Sequence, residues 1–229
     1  PVFLSEKEVA RLLGAPPSQT QLELRDRAII TLLYATGIRA GECAGVLEEW
    51  VDLEERTIRV LGKGNRERVI CLNASAVEAL RVYREARGPQ PPREAFFRSK
   101  SGGPINRKIV YERVKKYAAQ AGIAKRVTPH TLRHTCATHL VQHDVKLVVI
   151  RDLLGHRQIT STQIYLHTTA HDMKELAANH PVGRLAPTVA ALLEGVRIPI
   201  DHPPQRRNDT QAVPAAPCQP SAEEDRMAI

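Results

Sequence analysis

The chain has 229 residues with a formal charge of +8, and a chain of that length can bury a real core as one large domain or two small ones. Its aromatic content of 4% argues against a protein that grips single strands by stacking bases, and no apolar run approaches the roughly 18 residues of a membrane span. The charge is uneven: the last 44 residues, from Ala186, hold four bases and six acids, leaving 29 bases and 19 acids in residues 1–185, a surplus that points to a polyanionic partner.

In chain order, Ser5 followed by Glu8 predicts a capping box at the start of a helix. Leu24, Ala28, Leu32 and Ala35 recur at helical spacing through residues 21–36, and Gly37 is placed to end that helix. From Trp50 to Leu72 the pattern changes to short alternating runs, WVDL, TIRVL and ERVICL, which predict a small antiparallel sheet. The turn Gly62-Lys63-Gly64-Asn65 would close a tight hairpin with Lys63 projecting from its tip. SAVEALRVYREA predicts a helix, GPQPPREA a Pro-rich linker, and residues 106–121 a further helix with Asn106 as N-cap. Thr128-Pro129 is an N-cap followed by proline at the first helical position, so PHTLRHTCATHL begins another helix. Asp144 is expected to cap VKLVVIRDLL, which stops at Gly155; HDMKELAANH would be one more helix. Beyond Pro187 the composition predicts disorder with a short helix near residues 189–194.

The four cysteines, Cys43, Cys71, Cys136 and Cys218, lack C-x-x-C spacing and read as reduced packing residues of an intracellular protein. The opening PVFLSEKEVARLL has no signal-peptide core, and a first residue other than Met marks either processing or an excerpt of something longer.

His130, His134, His139 and His143 invite a zinc reading. A hydrolytic zinc helix carries Glu within H-E-x-x-H, whereas Thr131 and Leu132 follow His130 here, and His139 stands about 140° around the helix from His134. A plain polar helix face is the alternative. Against that reading stands the company the helix keeps: Arg39 with Glu42 past a helix end, Lys63 on a hairpin, His156 past another helix end, and Tyr165 nine residues later.

These motifs, TGIRAGE, GKGNRER, HTLRHTCATHL and LLGHRQITSTQIY, resemble in order and spacing those of the tyrosine recombinases, the phage integrase family, and above all its Xer-type and mobile-element members. The resemblance covers residues 1–181. It implies a mainly α catalytic fold with a small antiparallel β-sheet over residues 1–185, and a chain that lacks the N-terminal core-binding domain such enzymes usually carry. It implies site-specific cleavage and rejoining of double-stranded DNA through a 3′-phosphotyrosine at Tyr165. Arg39 and Arg133 would clamp the phosphate oxygens, since a planar guanidinium matches two oxygens at once. His156 would be a third phosphate ligand, Lys63 would protonate the leaving 5′ oxygen, and His130 would take or shuttle the tyrosyl proton. Glu42 and His134 would support the site, and no metal, ATP or other cofactor is implied.

The resemblance further implies a homotetramer on synapsed DNA, with a monomer or weak oligomer in its absence, and residues 173–179 docking on a neighbour. The expected location is the cytoplasm, with the nucleoid. The rival readings are an inactive or truncated DNA-binding module of the same fold, and a strand-swivelling topoisomerase or hairpin-telomere resolvase.

Overall fold

The computed structural model describes residues 2–62, 64–155, 176, 180 and 181. Within them lie seven helices and one sheet: α1 (Glu6–Gly14), α2 (Gln21–Thr36), α3 (Ala40–Ala44), a short 3-10 turn (Glu48–Trp50), β1 (Val51–Asp52), β2 (Thr57–Gly62), β3 (Arg66–Cys71), α4 (Ala74–Arg87), α5 (Arg107–Gln120), α6 (Pro129–Gln142) and α7 (Leu147–Leu154). The mainly helical architecture with a small antiparallel sheet agrees with the reading from sequence. No helix among the described residues is long and apolar enough to cross a membrane.

Helix α2 is the axis of the core. Every residue from Leu24 to Thr36 is buried, and the helix packs against α4 and α6. A helix buried all round must satisfy its polar side chains internally. Arg25 does so by donating Nε and Nη2 to Asp26 Oδ1 at 3.0 and 2.6 Å and Nη1 to the Arg98 carbonyl at 2.7 Å, while the Tyr117 hydroxyl donates to Asp26 Oδ2 at 3.1 Å.

The helix starts follow local side-chain chemistry. Ser5 and Glu8 form the capping box, Thr20 and Glu23 form a second, and Asn106 accepts from the Ile109 amide at 3.0 Å. Thr128 caps α6 with Pro129 at its first turn. Asp144 departs from its expected role. It does not cap α7, which begins at Leu147; it adopts φ +58° just past the end of α6. The Asp144 amide donates to the Val141 carbonyl and the Val145 amide to the Leu140 carbonyl, so the residue closes a Schellman turn, a place where a short polar side chain tolerates the left-handed conformation.

The sheet runs in the order β1-β2-β3, with Thr57 opposite Cys71 and Gly62 opposite Arg66. Ile58, Val60 and Ile70 face the core while Arg59, Glu67 and Val69 face out, the alternation of a one-sided sheet. β2 ends at Gly62 and β3 begins at Arg66, and between them Gly64 and Asn65 are both left-handed. The Pro-rich stretch 88–95 is pinned along the 3-10 turn through amides of Glu48 and Glu49, which donate to carbonyls of Glu94 and Pro92.

Leu4 and His180, near the two ends of the described residues, both reach the core. The Leu4 amide donates to Thr135 Oγ1 at 3.0 Å, and His180 is buried against Tyr34 and Cys136. Burial pushes the His180 imidazole down to about 3, so it packs as a neutral ring.

Gly37 ends α2 with φ +61°, and a Cβ there would stand 2.5 Å from Leu154 Cδ2 and 3.4 Å from Cys136 Sγ. Left-handed strain and overpacking act together at this position. Gly37→Ala is therefore expected to lower stability by about 2–4 kcal/mol, read in urea denaturation as a lower midpoint at an unchanged m-value.

Candidate active site

The site is built outward from Arg133. Because Thr128 and Pro129 fix where α6 begins, His130 and Arg133 lie three residues apart on one helix face. Arg133 is only 6% exposed. Its Nη1 donates to the Gly37 carbonyl at 2.6 Å and its Nη2 to the Leu154 carbonyl at 2.7 Å. These carbonyls belong to the C-terminal ends of α2 and α7, where unpaired carbonyls and the helix dipoles favour a cation. Burial first, and then the nearby Arg39 charge, lower the Arg133 guanidinium to about 10, so it remains protonated at neutral pH.

Arg39 sits between the Gly37 turn and α3. Its amide donates to Glu42 Oε2 and its Nη1 to Glu42 Oε1, each at 2.9 Å, while 47% of its side chain stays exposed. Glu42 is buried and shared. Arg68 on β3 donates Nη1 to Oε1 at 2.9 Å and Nη2 to Oε2 at 2.8 Å, a two-oxygen fork. Burial alone would raise the Glu42 carboxyl, but the Arg68 bonds, the Arg39 amide and the two positive charges outweigh it and hold the group at about 2.

Arg39, His130 and Arg133 line one cavity of about 750 Å³. The remaining lining includes Thr128 and Pro129 from the start of α6, and Arg107, Lys108, Tyr111 and Glu112 from the first turns of α5. The α5 residues were not foreseen; their one sequence signal is the Arg107-Lys108 pair directly after the Asn106 cap.

His134 does not line this cavity: it is half-buried, with its ring set edge-on to Phe3 at 6.5 Å. The fully packed histidine of α6 is His139, whose Nδ1 lies 2.8 Å from the Tyr34 hydroxyl, and His143 turns away to Glu6 at 2.9 Å. Of the four, His130 faces the cavity, His134 and His139 both set their rings edge-on to Phe3, and His143 pairs with Glu6, so they do not converge on one point. Lys63, His156 and Tyr165 lie outside the described residues.

Arg68 was missed, although strand alternation marks it. Ile70 faces the core, so residue 68 shares the inward face opposite buried Val60, and an arginine there demands a carboxylate.

The model of the phage integrase family matches residues 2–172. The chain belongs to that family. It is 40% identical over 184 residues to tyrosine recombinase XerD of Pseudomonas aeruginosa, an alignment covering 79% of this chain and 62% of the relative. Among solved structures it is similar to the XerA recombinase, with a TM-score of 0.63 and 32% identity over 77% of this chain and 64% of the other. It is also similar to the XerH recombinase bound to its difH substrate in a pre-cleavage complex, with a TM-score of 0.59 and 26% identity over 69% of this chain and 48% of the other. The chain spans about three-fifths of the length of the curated relatives it matches. In this integrase-family chain, the motifs TGIRAGE and HTLRHTCATHL therefore supply neighbouring walls of one cationic cavity.

Glu42 gives a pH signature. A depressed carboxyl contributes stability that is full above its ordinary value near 4.5 and is lost as the pH falls toward about 2. The lost contribution is about 3 kcal/mol at 1.36 kcal/mol per pKa unit. Denaturant midpoints measured across that window are expected to fall steeply for the wild type and to flatten for Glu42→Gln, which starts from a lower stability at neutral pH.

Proposed function

We propose that residues 1–185 form the catalytic domain of a site-specific recombinase that breaks and rejoins double-stranded DNA without ATP. The observation that carries this reading is the buried Arg133, whose guanidinium is held by two helix ends beside the cavity it shares with Arg39 and His130. Two planar cations on one cavity suit the non-bridging oxygens of a phosphodiester, whose negative charge grows in the transition state. The family membership and the relatives' activity, as named, support the same substrate class.

In this mechanism the Tyr165 hydroxyl attacks phosphorus, the tyrosyl O–P bond forms and the P–O5′ bond breaks. A phenol near pKa 10 costs about 4 kcal/mol to ionise at pH 7, so its proton passes to His130 as the bond forms. Lys63 gives a proton to the departing 5′ oxygen, and His156 adds a third ligand to the phosphate. The phosphotyrosine conserves the bond energy, and a 5′ hydroxyl of another strand attacks it to reverse the step. Two duplexes present four strands to cut, and each protomer supplies one nucleophile, which makes the working assembly a homotetramer on synapsed DNA. Such a protein works in the cytoplasm on the nucleoid.

The test uses a nicked suicide duplex, selected by the chain itself from a pool with a randomised core, in which cleavage releases a short strand and traps the enzyme. The wild type is expected to give an SDS-stable adduct, Tyr165→Phe none, and Arg39→Ala an adduct formed about 100- to 1,000-fold more slowly, with duplex binding in gel shift largely retained. Sequence-specific binding by the wild type with no adduct on any duplex in the pool would leave a DNA-binding module and overturn the recombinase reading.

A further inference from the structure

We propose that Arg68 is a positioning residue for strand cleavage, acting through Glu42 on Arg39 and through Gly155 on the end of α7. The proposal rests on the recombinase reading above and gives a role to a residue that ends the GKGNRER motif but has none in the resemblance and does not line the cavity.

The geometry is that of a shared carboxylate. Each Glu42 oxygen serves two arginine donors: Oε1 accepts from Arg39 Nη1 and Arg68 Nη1, and Oε2 accepts from the Arg39 amide and Arg68 Nη2, all between 2.8 and 2.9 Å. Glu42 is 5% exposed, Arg68 19% and Arg39 47%. Arg68 is thus the sheltered partner that fixes the carboxylate, and the carboxylate in turn fixes the solvent-facing arginine of the cavity. Removing the Arg68 fork leaves Glu42 held from one side only, free to rotate with Arg39.

The same guanidinium meets a second element. A Cβ built on Gly155 would lie 3.2 Å from Arg68 Cζ, Nε and Nη1, so the side chain lies flat against the glycine that ends α7. The preceding Leu154 carbonyl is one of the two that hold Arg133, and His156 follows next in the chain. Arg68 itself is on β3, two residues beyond its first residue and five after Lys63. One planar cation therefore joins the hairpin strand, the start of α3 and the end of α7, three separate pieces of backbone that carry or adjoin proposed reacting groups. Arg68 is not among the residues that line the cavity, in keeping with a positioning role.

The experiment measures single-turnover adduct formation on the selected suicide duplex for the wild type, Arg68→Gln, Arg68→Lys, Arg39→Ala and the Arg39→Ala/Arg68→Gln double variant, with thermal denaturation and duplex affinity of each. Arg68→Gln is expected to remain folded and to bind duplex within about threefold of wild type while cleaving about 10- to 100-fold more slowly, the scale of a small misplacement at a reacting centre. Arg68→Lys keeps the charge but not the fork, so it should recover only part of that loss. Because Arg39→Ala already removes the Arg39 route, Arg68→Gln should cost less in the double variant than it costs in the wild type, the remaining loss being the part carried through the end of α7. Cleavage by Arg68→Gln within about twofold of wild type, or losses that multiply in the double variant, would overturn the positioning role while leaving the recombinase reading intact. A wild-type chain that forms no adduct overturns both, and is recognised by the failure of the control lane itself.

Discussion

The site depends on one buried cation and the two helix ends that hold it. Placing a guanidinium in the interior carries a desolvation cost of several kcal/mol, which is repaid only when geometry and partners are good. Arg133 meets carbonyls that have no helical partner of their own, at 2.6 and 2.7 Å, at the negative ends of two helix dipoles. The demand then spreads through the fold. Helices α2 and α7 must end close together, each must turn sharply at its last residue, and each does so with a left-handed glycine, Gly37 and Gly155. The core packing of α2 against α6 sets the distance across which Arg133 reaches.

Electrostatics around this cation follow a simple logic. Arg39 and Arg68 both press down on the affinity of Arg133 for its proton, and Glu42 presses the other way. One carboxylate held at about 2 thus lets three arginines stand together, with Arg39 left partly open to solvent. Such an arrangement is poised for an anion: the positive charges are already gathered, and much of the cost of gathering them was met when the chain folded.

What the sequence made legible was mostly local. Ser5 with Glu8, Asn106, and Thr128-Pro129 mark helix starts through bonds spanning three residues, and Gly37 marks a helix end by a conformation that few other residues adopt. The motifs around Arg39 and Arg133 were legible through resemblance, and the fold brings them to one cavity although they are far apart in the chain. The features that escaped depend on tertiary contact or on competition between local rules. Asp144 suits a helix start as well as a left-handed helix end, and only the relative position of α6 and α7 decides between them. The five-residue α3 is too short to show periodicity. Arg68 needed two facts combined, strand alternation and a buried carboxylate from another element. The cavity's α5 wall has no motif, since its residues face the site only because α5 packs beside α3 and α6.

The close approach of Arg68 to Gly155 bears on how such a chain can change over generations. A Cβ at position 155 would press on Arg68 at 3.2 Å, and Arg68 keeps its plane while Glu42 holds both its Nη nitrogens. Residues 42, 68 and 155 come from three distant stretches, yet their contacts are shared, so the effects of substitutions at them are expected to be non-additive. Descendants of this sequence should keep the trio whole or replace it in concert, leaving a coupled substitution pattern where the linear sequence offers no hint of contact.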